Sequence, residues 1–145
     1  MTDKAEWLAL AERCEKATGP DRSIDCWIEN YCGIARFDAA YRGDPGMRVN
    51  IRPLTASIDA ITALIEWELP GWMWRVQTCG VSSEAWVAPD LNNPLCSPEI
   101  RADEARWHDY AERNEVELRP GSNKSAIIAL CAAFCRAMAE KAGEP

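Results

Sequence analysis

Histidine is nearly absent from this chain: among 145 residues there is one, His108. A Ser-His-Asp constellation would have to be built on the stretch Trp107-His-Asp-Tyr110 with partners distant in the sequence, and hydrolytic catalysis is not expected. No Cys-x-x-Cys pair occurs, so although Cys131 and Cys135 lie one helical turn apart, the four-ligand set usual for a soft metal does not form. No metal and no cofactor are expected. The seven cysteines, Cys14, Cys26, Cys32, Cys79, Cys96, Cys131 and Cys135, are an odd number without the tight spacing of a disulfide framework, and read as small core hydrophobes in a reducing compartment. Long apolar runs are lacking too. The longest, Ala126 to Cys135, is about half of what spans a bilayer. The start Met-Thr-Asp-Lys-Ala-Glu lacks the basic-then-apolar order of a secretory signal, so a cytoplasmic protein with no membrane partner is expected. Positive charge is scarce: 16 Lys and Arg face 23 Asp and Glu, for a net charge of -7 and a pI near 4.8. Long-range repulsion then argues against coating a nucleic-acid polymer or an anionic membrane, while local basic pockets remain compatible with it.

What is present reads as one α+β domain over residues 1–145, long enough to bury about two-thirds of its unfolded surface without staples. Asp3, with Glu6 three residues on, can cap a helix whose Trp7, Leu10, Ala11 and Cys14 share a face. Gly19-Pro20 stops it, and a second helix carries Ile24, Trp27, Ile28, Tyr31 and Cys32 at helical spacing before Gly33. Residues 1–33 thus read as an N-terminal helical hairpin. A turn-rich basic loop follows at 39–53, with three Arg against one Asp between residues 42 and 52 and a short edge strand at Met47 to Ile51. Thr55 or Ser57 caps a third helix, with Ile58, Ile61, Leu64 and Ile65 inward, until Leu69-Pro70-Gly71 breaks it.

Trp72 to Cys79 alternates Trp72, Trp74, Val76 and Thr78 against Met73, Arg75, Gln77 and Cys79, the period of a half-buried strand. Glu84 to Ala88 is its hairpin partner, a polar helix or helical turn gathers around Ile100, Trp107 and Ala111, and Glu115 to Leu118 is a further short strand. The last helix is apolar nearly all round: Ile127, Leu130, Cys131, Phe134 and Met138 form a stripe, and Ala129, Ala132, Ala133 and Ala137 cover much of the rest. Either it lies at the centre of the domain or its alanine side packs on a second subunit. Residues 34–145 then form an αββαβα sandwich, in which a small antiparallel sheet of three or four strands is flanked by helices.

The candidate chemistry sits at the start of the last helix. Glu117-Leu-Arg-Pro-Gly-Ser-Asn-Lys-Ser125 turns through Pro120 and Gly121 into the apolar run, placing Ser122, Asn123 and Lys124 on the first turn. Unpaired backbone N–H groups and the helix dipole make such a start a receptor for an anion. A capped core helix with a solvated Lys gives the same pattern. The segment lacks the first glycine and the Gly-Lys-Ser triplet of a phosphate loop, so an NTPase is not expected. Arg42, Arg48 and Arg52 in the basic loop, with Arg119, are planar donors suited to phosphate. Of seven Trp, most fill the core, and Trp74 or Trp86 near strand ends can stack on a base. The seven acids against three Arg from Glu99 to Glu117 read as a solvated acidic face.

Four stretches, Thr18-Gly-Pro-Asp-Arg22, Arg52-Pro-Leu-Thr-Ala-Ser-Ile-Asp-Ala-Ile61, Gly71-Trp-Met-Trp-Arg75 and Ala126-Ile-Ile-Ala-Leu-Cys-Ala-Ala133, resemble the small phage and prophage proteins called the phage ABA sandwich domain family. The resemblance spans roughly residues 5–140. In or near that group lie the phage anti-Thoeris sponges, which sequester cyclic ADP-ribose isomers at subunit interfaces without cleaving them. The resemblance implies that Arg119, Ser122 and Asn123, with the basic loop, hold phosphates and that an aromatic near the sheet faces the adenine. Where a sponge has Thr soon after the Arg, this chain has Pro120 and Gly121, with Ser122 the nearest hydroxyl.

Two functions are therefore expected of a non-enzymatic protein in the host cytoplasm. The first is a phage-derived, homo-oligomeric (dimeric or higher) anti-defence protein that sequesters a cyclic nucleotide immune signal, with Arg119 and Lys124 neutralising the pyrophosphate and Trp74 or Trp86 stacking on the base. The second is an acidic protein–protein inhibitor of a host defence factor, or a minor phage protein with no small ligand, suggested by the charge of -7 and the acidic stretch.

Overall fold

Asp3 and Glu6 make the reciprocal contacts of a capping box: the Glu6 N–H donates to Asp3 Oδ1 at 2.9 Å and the Asp3 N–H donates to Glu6 Oε2 at 3.0 Å. They open helix α1 (Lys4–Lys16), which buries Trp7, Leu10, Ala11 and Cys14 as their spacing predicts. The computed structural model describes residues 2–33, 51–78, 82–118 and 126–143. Helix α2 (Arg22–Tyr31) is capped by Asp21, whose carboxylate accepts from the Ser23 and Ile24 N–H groups, and Gly33 at φ 78° follows its end.

The chain is next described at Ile51, and residues 51–55 are held along α2 by two buried carboxylates one turn apart. Asp25 Oδ1 accepts from the Thr55 N–H at 2.8 Å and the Thr55 hydroxyl at 2.9 Å. Glu29 Oε1 accepts from Arg52 Nε at 2.8 Å and from the Arg52 backbone N–H at 3.1 Å. Arg22 completes the clamp, donating to Asp25 Oδ2 at 3.0 Å and to the Ile51 carbonyl at 2.8 Å. Thr55 is thereby occupied, and Ser57 is the cap of α3 (Ile58–Glu68), its Oγ accepting from the Ala60 N–H at 3.2 Å.

Gly71, at φ 87°, turns the chain from α3 into the sheet, and the Cys96 backbone nitrogen passes 2.4 Å from where a Cβ would stand. Among the described residues, strands β1 (Trp72–Thr78), β2 (Ser83–Pro89) and β3 (Val116–Leu118) form a small antiparallel sheet in the order β1-β2-β3. Between β2 and β3 the expected polar helix is two pieces, α4 (Pro98–Ala102) and α5 (Glu104–Arg113), which meet at Asp103. From α5 only Trp107 and Tyr110 are buried, and Trp72, Trp107 and Tyr110 pack edge to face with centroids 5.4 and 5.5 Å apart.

Helix α6 (Ala126–Ala142) is the centre of the molecule. It packs on the sheet, on α3 and above all on α1, and every residue from Ile128 to Cys135 is buried. Ala129, Ala132, Ala133 and Ala137 are covered within the chain itself, which decides between the two roles their pattern left open. The core runs from Trp7 to Ala139, so α1 and α2 belong to the same packed body as the sheet. The architecture is α+β, a small antiparallel sheet flanked by helices. No helix among the described residues is long and apolar enough to cross a membrane.

Candidate functional site

The register of β1 on β2 sorts the sheet into two faces. Trp72 pairs with Pro89, Trp74 with Val87 and Val76 with Ala85; Ala85 pairs in turn with Val116, and Ser83 with Leu118. Trp72, Ala85, Val87, Val116 and Leu118 of this set join the core around α6. The alternate residues point the other way. Arg75 pairs with Trp86, Gln77 with Glu84, and Glu84 with Glu117, giving cross-strand rows on the face turned from α6.

Arg75, Gln77, Glu84, Trp86 and Glu115, with Ala85 between Glu84 and Trp86 on β2, line a pocket of about 130 Å³. Arg75, Gln77, Glu115 and Glu117 are exposed, and Glu84 and Trp86 are half-buried. The Ser82 hydroxyl donates to Glu84 Oε1 at 3.1 Å. Loss of solvent, then the hydrogen bond and negative charge of Glu84, push the Glu115 carboxyl above its usual range; Glu117 adds to the push and Arg75 opposes it. Glu84 of β2, Glu117 of β3 and Glu115 just before β3 thus stand near one guanidinium and one indole. Such a surface attracts cations and repels phosphate.

Of the residues expected to bind a ligand, three are described. Arg52 is engaged by Glu29, which is fully buried, so its Nε–H serves the fold. Trp74 and Trp86 stand on opposite faces of the sheet, Trp74 36% exposed on edge strand β1 and Trp86 in the open-face pocket, so one ligand cannot stack on both. Arg119, Ser122, Asn123 and Lys124, Arg42 and Arg48, and the edge strand from Met47 lie outside the described residues, apart from Ile51. The structure also singles out residues that sequence reasoning passed over. Arg75, Gln77, Glu84 and Glu117 carried a signal, the strand alternation, which becomes a site once the pairing register is known. Trp67, 81% exposed on α3, carried none beyond falling off the inward stripe of that helix.

Other clusters serve structure. Cys14, Cys131 and Cys135 are wholly buried, with the Cys131 thiol donating to the Leu54 carbonyl at 3.2 Å. Burial first, and the neighbouring Cys14 second, raise the Cys131 and Cys135 thiols well above the ordinary range, which makes them poor nucleophiles. His108 is exposed, with its Nε2 3.2 Å from Glu104 Oε1 on the preceding turn of α5. Among the described residues no group of three or more His, Cys, Asp or Glu could hold a metal ion. No family model, no curated protein and no solved structure matches this chain.

Proposed function

We propose that this protein is a non-catalytic binding protein that docks the acidic open face of its sheet on a basic surface of another protein, acting as an inhibitor of a host defence factor. The observation that carries this reading is the convergence of Glu84, Glu115 and Glu117 around Trp86 on a sheet face turned from α6. A net charge of -7 accelerates encounter with a basic partner, and the mixed indole and carboxylate surface gives the contact an apolar anchor inside a charged rim. The pocket volume of about 130 Å³ suits a side-chain head group and falls short of the roughly 300–1,000 Å³ usual for small-molecule sites. The test is affinity capture from host lysate with wild type and Glu84→Lys/Glu117→Lys. A basic partner retained by wild type at low salt, released by salt and lost from the variant supports the reading. Equal capture by both proteins refutes it.

A second reading keeps the nucleotide. Trp86 directly opposite Arg75 gives a base-sized plane beside a guanidinium, and the resemblance to phage ABA sandwich proteins points to sequestration of a cyclic ADP-ribose isomer by Arg119, Ser122, Asn123 and Lys124. A subunit interface would enlarge the site, consistent with a homo-oligomer. Thermal denaturation with each isomer tests it, because a ligand that binds only the folded state raises the midpoint. Heat release of intact ligand shows that no bond was broken.

A further inference from the structure

We infer that the open-face pocket is a socket for one arginine side chain of the partner protein, a deepening that rests on the docking reading above. The socket has walls of three kinds. The half-buried Trp86 supplies an indole, Gln77 an amide, and Glu84 and Glu115 two carboxylates that reach the same space from β2 and from the residue before β3. An arginine head group is planar, stacks on an indole and donates in a fork that two acceptors can share, whereas lysine offers a compact ammonium that uses less of such a wall.

Charge selects the same occupant. The charged groups lining the pocket are Arg75 from β1, Glu84 from β2 and Glu115 just before β3, and Glu117 stands beside them as the cross-strand partner of Glu84, so three carboxylates stand against one guanidinium. Glu84 and Glu115 line the same pocket, and the negative charge of Glu84 helps to raise the Glu115 carboxyl, a repulsion that an arriving cation relieves. An incoming guanidinium can donate a charge-assisted hydrogen bond to each carboxylate. A phosphate entering the same space would meet the carboxylates and find a single Arg75. Size agrees, because about 130 Å³ accommodates a guanidinium with its last methylenes.

The probe is the peptide acetyl-Gly-Arg-Gly-amide, titrated into the ¹⁵N-labelled full chain while the Trp86 indole resonance, assigned with Trp86→Phe, is followed. A saturable shift is expected with a Kd on the order of 1 mM. The isosteric, uncharged citrulline peptide should leave the resonance unmoved, and the lysine peptide should bind several-fold more weakly. In Glu84→Gln/Glu115→Gln, whose thermal midpoint is checked for folding, affinity should fall by about tenfold or more. Wild-type affinity should also drop as pH is lowered, because the raised Glu115 carboxyl takes up a proton and loses the charge that the guanidinium meets. An equal response to the citrulline peptide, an unchanged Kd in the double variant, or no saturable shift overturns the socket. The same double variant is carried through partner capture: loss of capture without peptide binding overturns the socket alone, whereas capture that survives both this variant and Glu84→Lys/Glu117→Lys overturns the docking reading itself.

Discussion

Arg52 and Glu29, 23 positions apart, form the ion pair that fastens the segment before α3 to α2, with Arg52 Nε 2.8 Å from a carboxylate oxygen of a fully buried residue. The guanidinium is thereby part of the scaffold. Replacing it with Ala removes the guanidinium partner of a fully buried carboxylate, at a cost of about 3 kcal/mol. Urea denaturation of Arg52→Ala should show that loss, with the m-value retained. If stability is unchanged and only ligand affinity falls, the residue belongs to a binding site after all.

Asp25 gives a pH dependence with a definite sign. Burial, the largest influence, holds its carboxyl above the usual range, outweighing the Thr55 hydrogen bonds and the Arg22 charge. A carboxyl raised in the folded state binds its proton more tightly there than in the unfolded chain, so its stabilising effect is full below the unfolded pKa, about 3.9, and is lost as pH rises through the folded value. Asp25→Asn lacks this proton. The stability gap between wild type and Asp25→Asn should therefore shift in favour of wild type as pH is lowered from 7 towards 4. Denaturant midpoints across that range give the answer, and a gap that moves the other way contradicts the assignment.

Gly71 and Gly33 both have positive φ, yet they should respond differently to alanine. At Gly33 a Cβ meets nothing within 4 Å, so only the backbone conformation resists, at about 1 kcal/mol. At Gly71 the same Cβ would collide with the Cys96 backbone at 2.4 Å, and adding the displacement of a packed segment brings the loss to roughly 3 kcal/mol or more. Thermal melts of the two variants should separate clearly.

Cys14, Cys131 and Cys135 should resist thiol reagents in the native protein. All are fully buried, and burial keeps the Cys131 and Cys135 thiols protonated at neutral pH. Labelling followed by mass mapping should find these three positions unmodified in buffer and modified, along with the other four of the seven cysteines, in strong denaturant. Rapid native labelling of any of the three would show that α1 and α6 open far more readily than their packing implies.

Trp74 and Trp86 provide the sharpest contrast for function, because Trp74 pairs with Val87 and Trp86 with Arg75 on alternate sides of the hairpin. Trp86→Ala should abolish partner capture, and Trp74→Ala should leave it intact. Were the nucleotide reading correct with Trp74 as the platform, the two variants would exchange outcomes in the ligand-induced rise of the melting midpoint.

The α-helices were legible in the chain because their signals are local. Asp3 with Glu6, Asp21 and Ser57 mark helix starts, and apolar spacing names the buried faces of α1 and α3. Strand alternation in β1 likewise separates Met73, Arg75 and Gln77 from Trp72, Trp74 and Val76. The open-face site was not legible, although each of its residues was in plain view. Its members come from β1, β2 and the start of β3, and a slip of one residue in either pairing would have scattered them to opposite faces. The Arg52–Glu29 pair shows the same limit: nothing near Arg52 in the sequence announces Glu29.

Sequence alone determined where helices begin, which residues they bury, and that the molecule carries an excess of negative charge, since capping, periodicity and composition act over a few residues or over none in particular. Tertiary structure alone decided that α6 is enclosed from Ile128 to Cys135, that Arg52 is bound to Glu29, and that Trp86 shares a pocket with polar side chains of β1, β2 and the residue before β3. These outcomes depend on strand register and helix packing, which are set by the burial of apolar surface across the whole chain and leave no mark on any one segment.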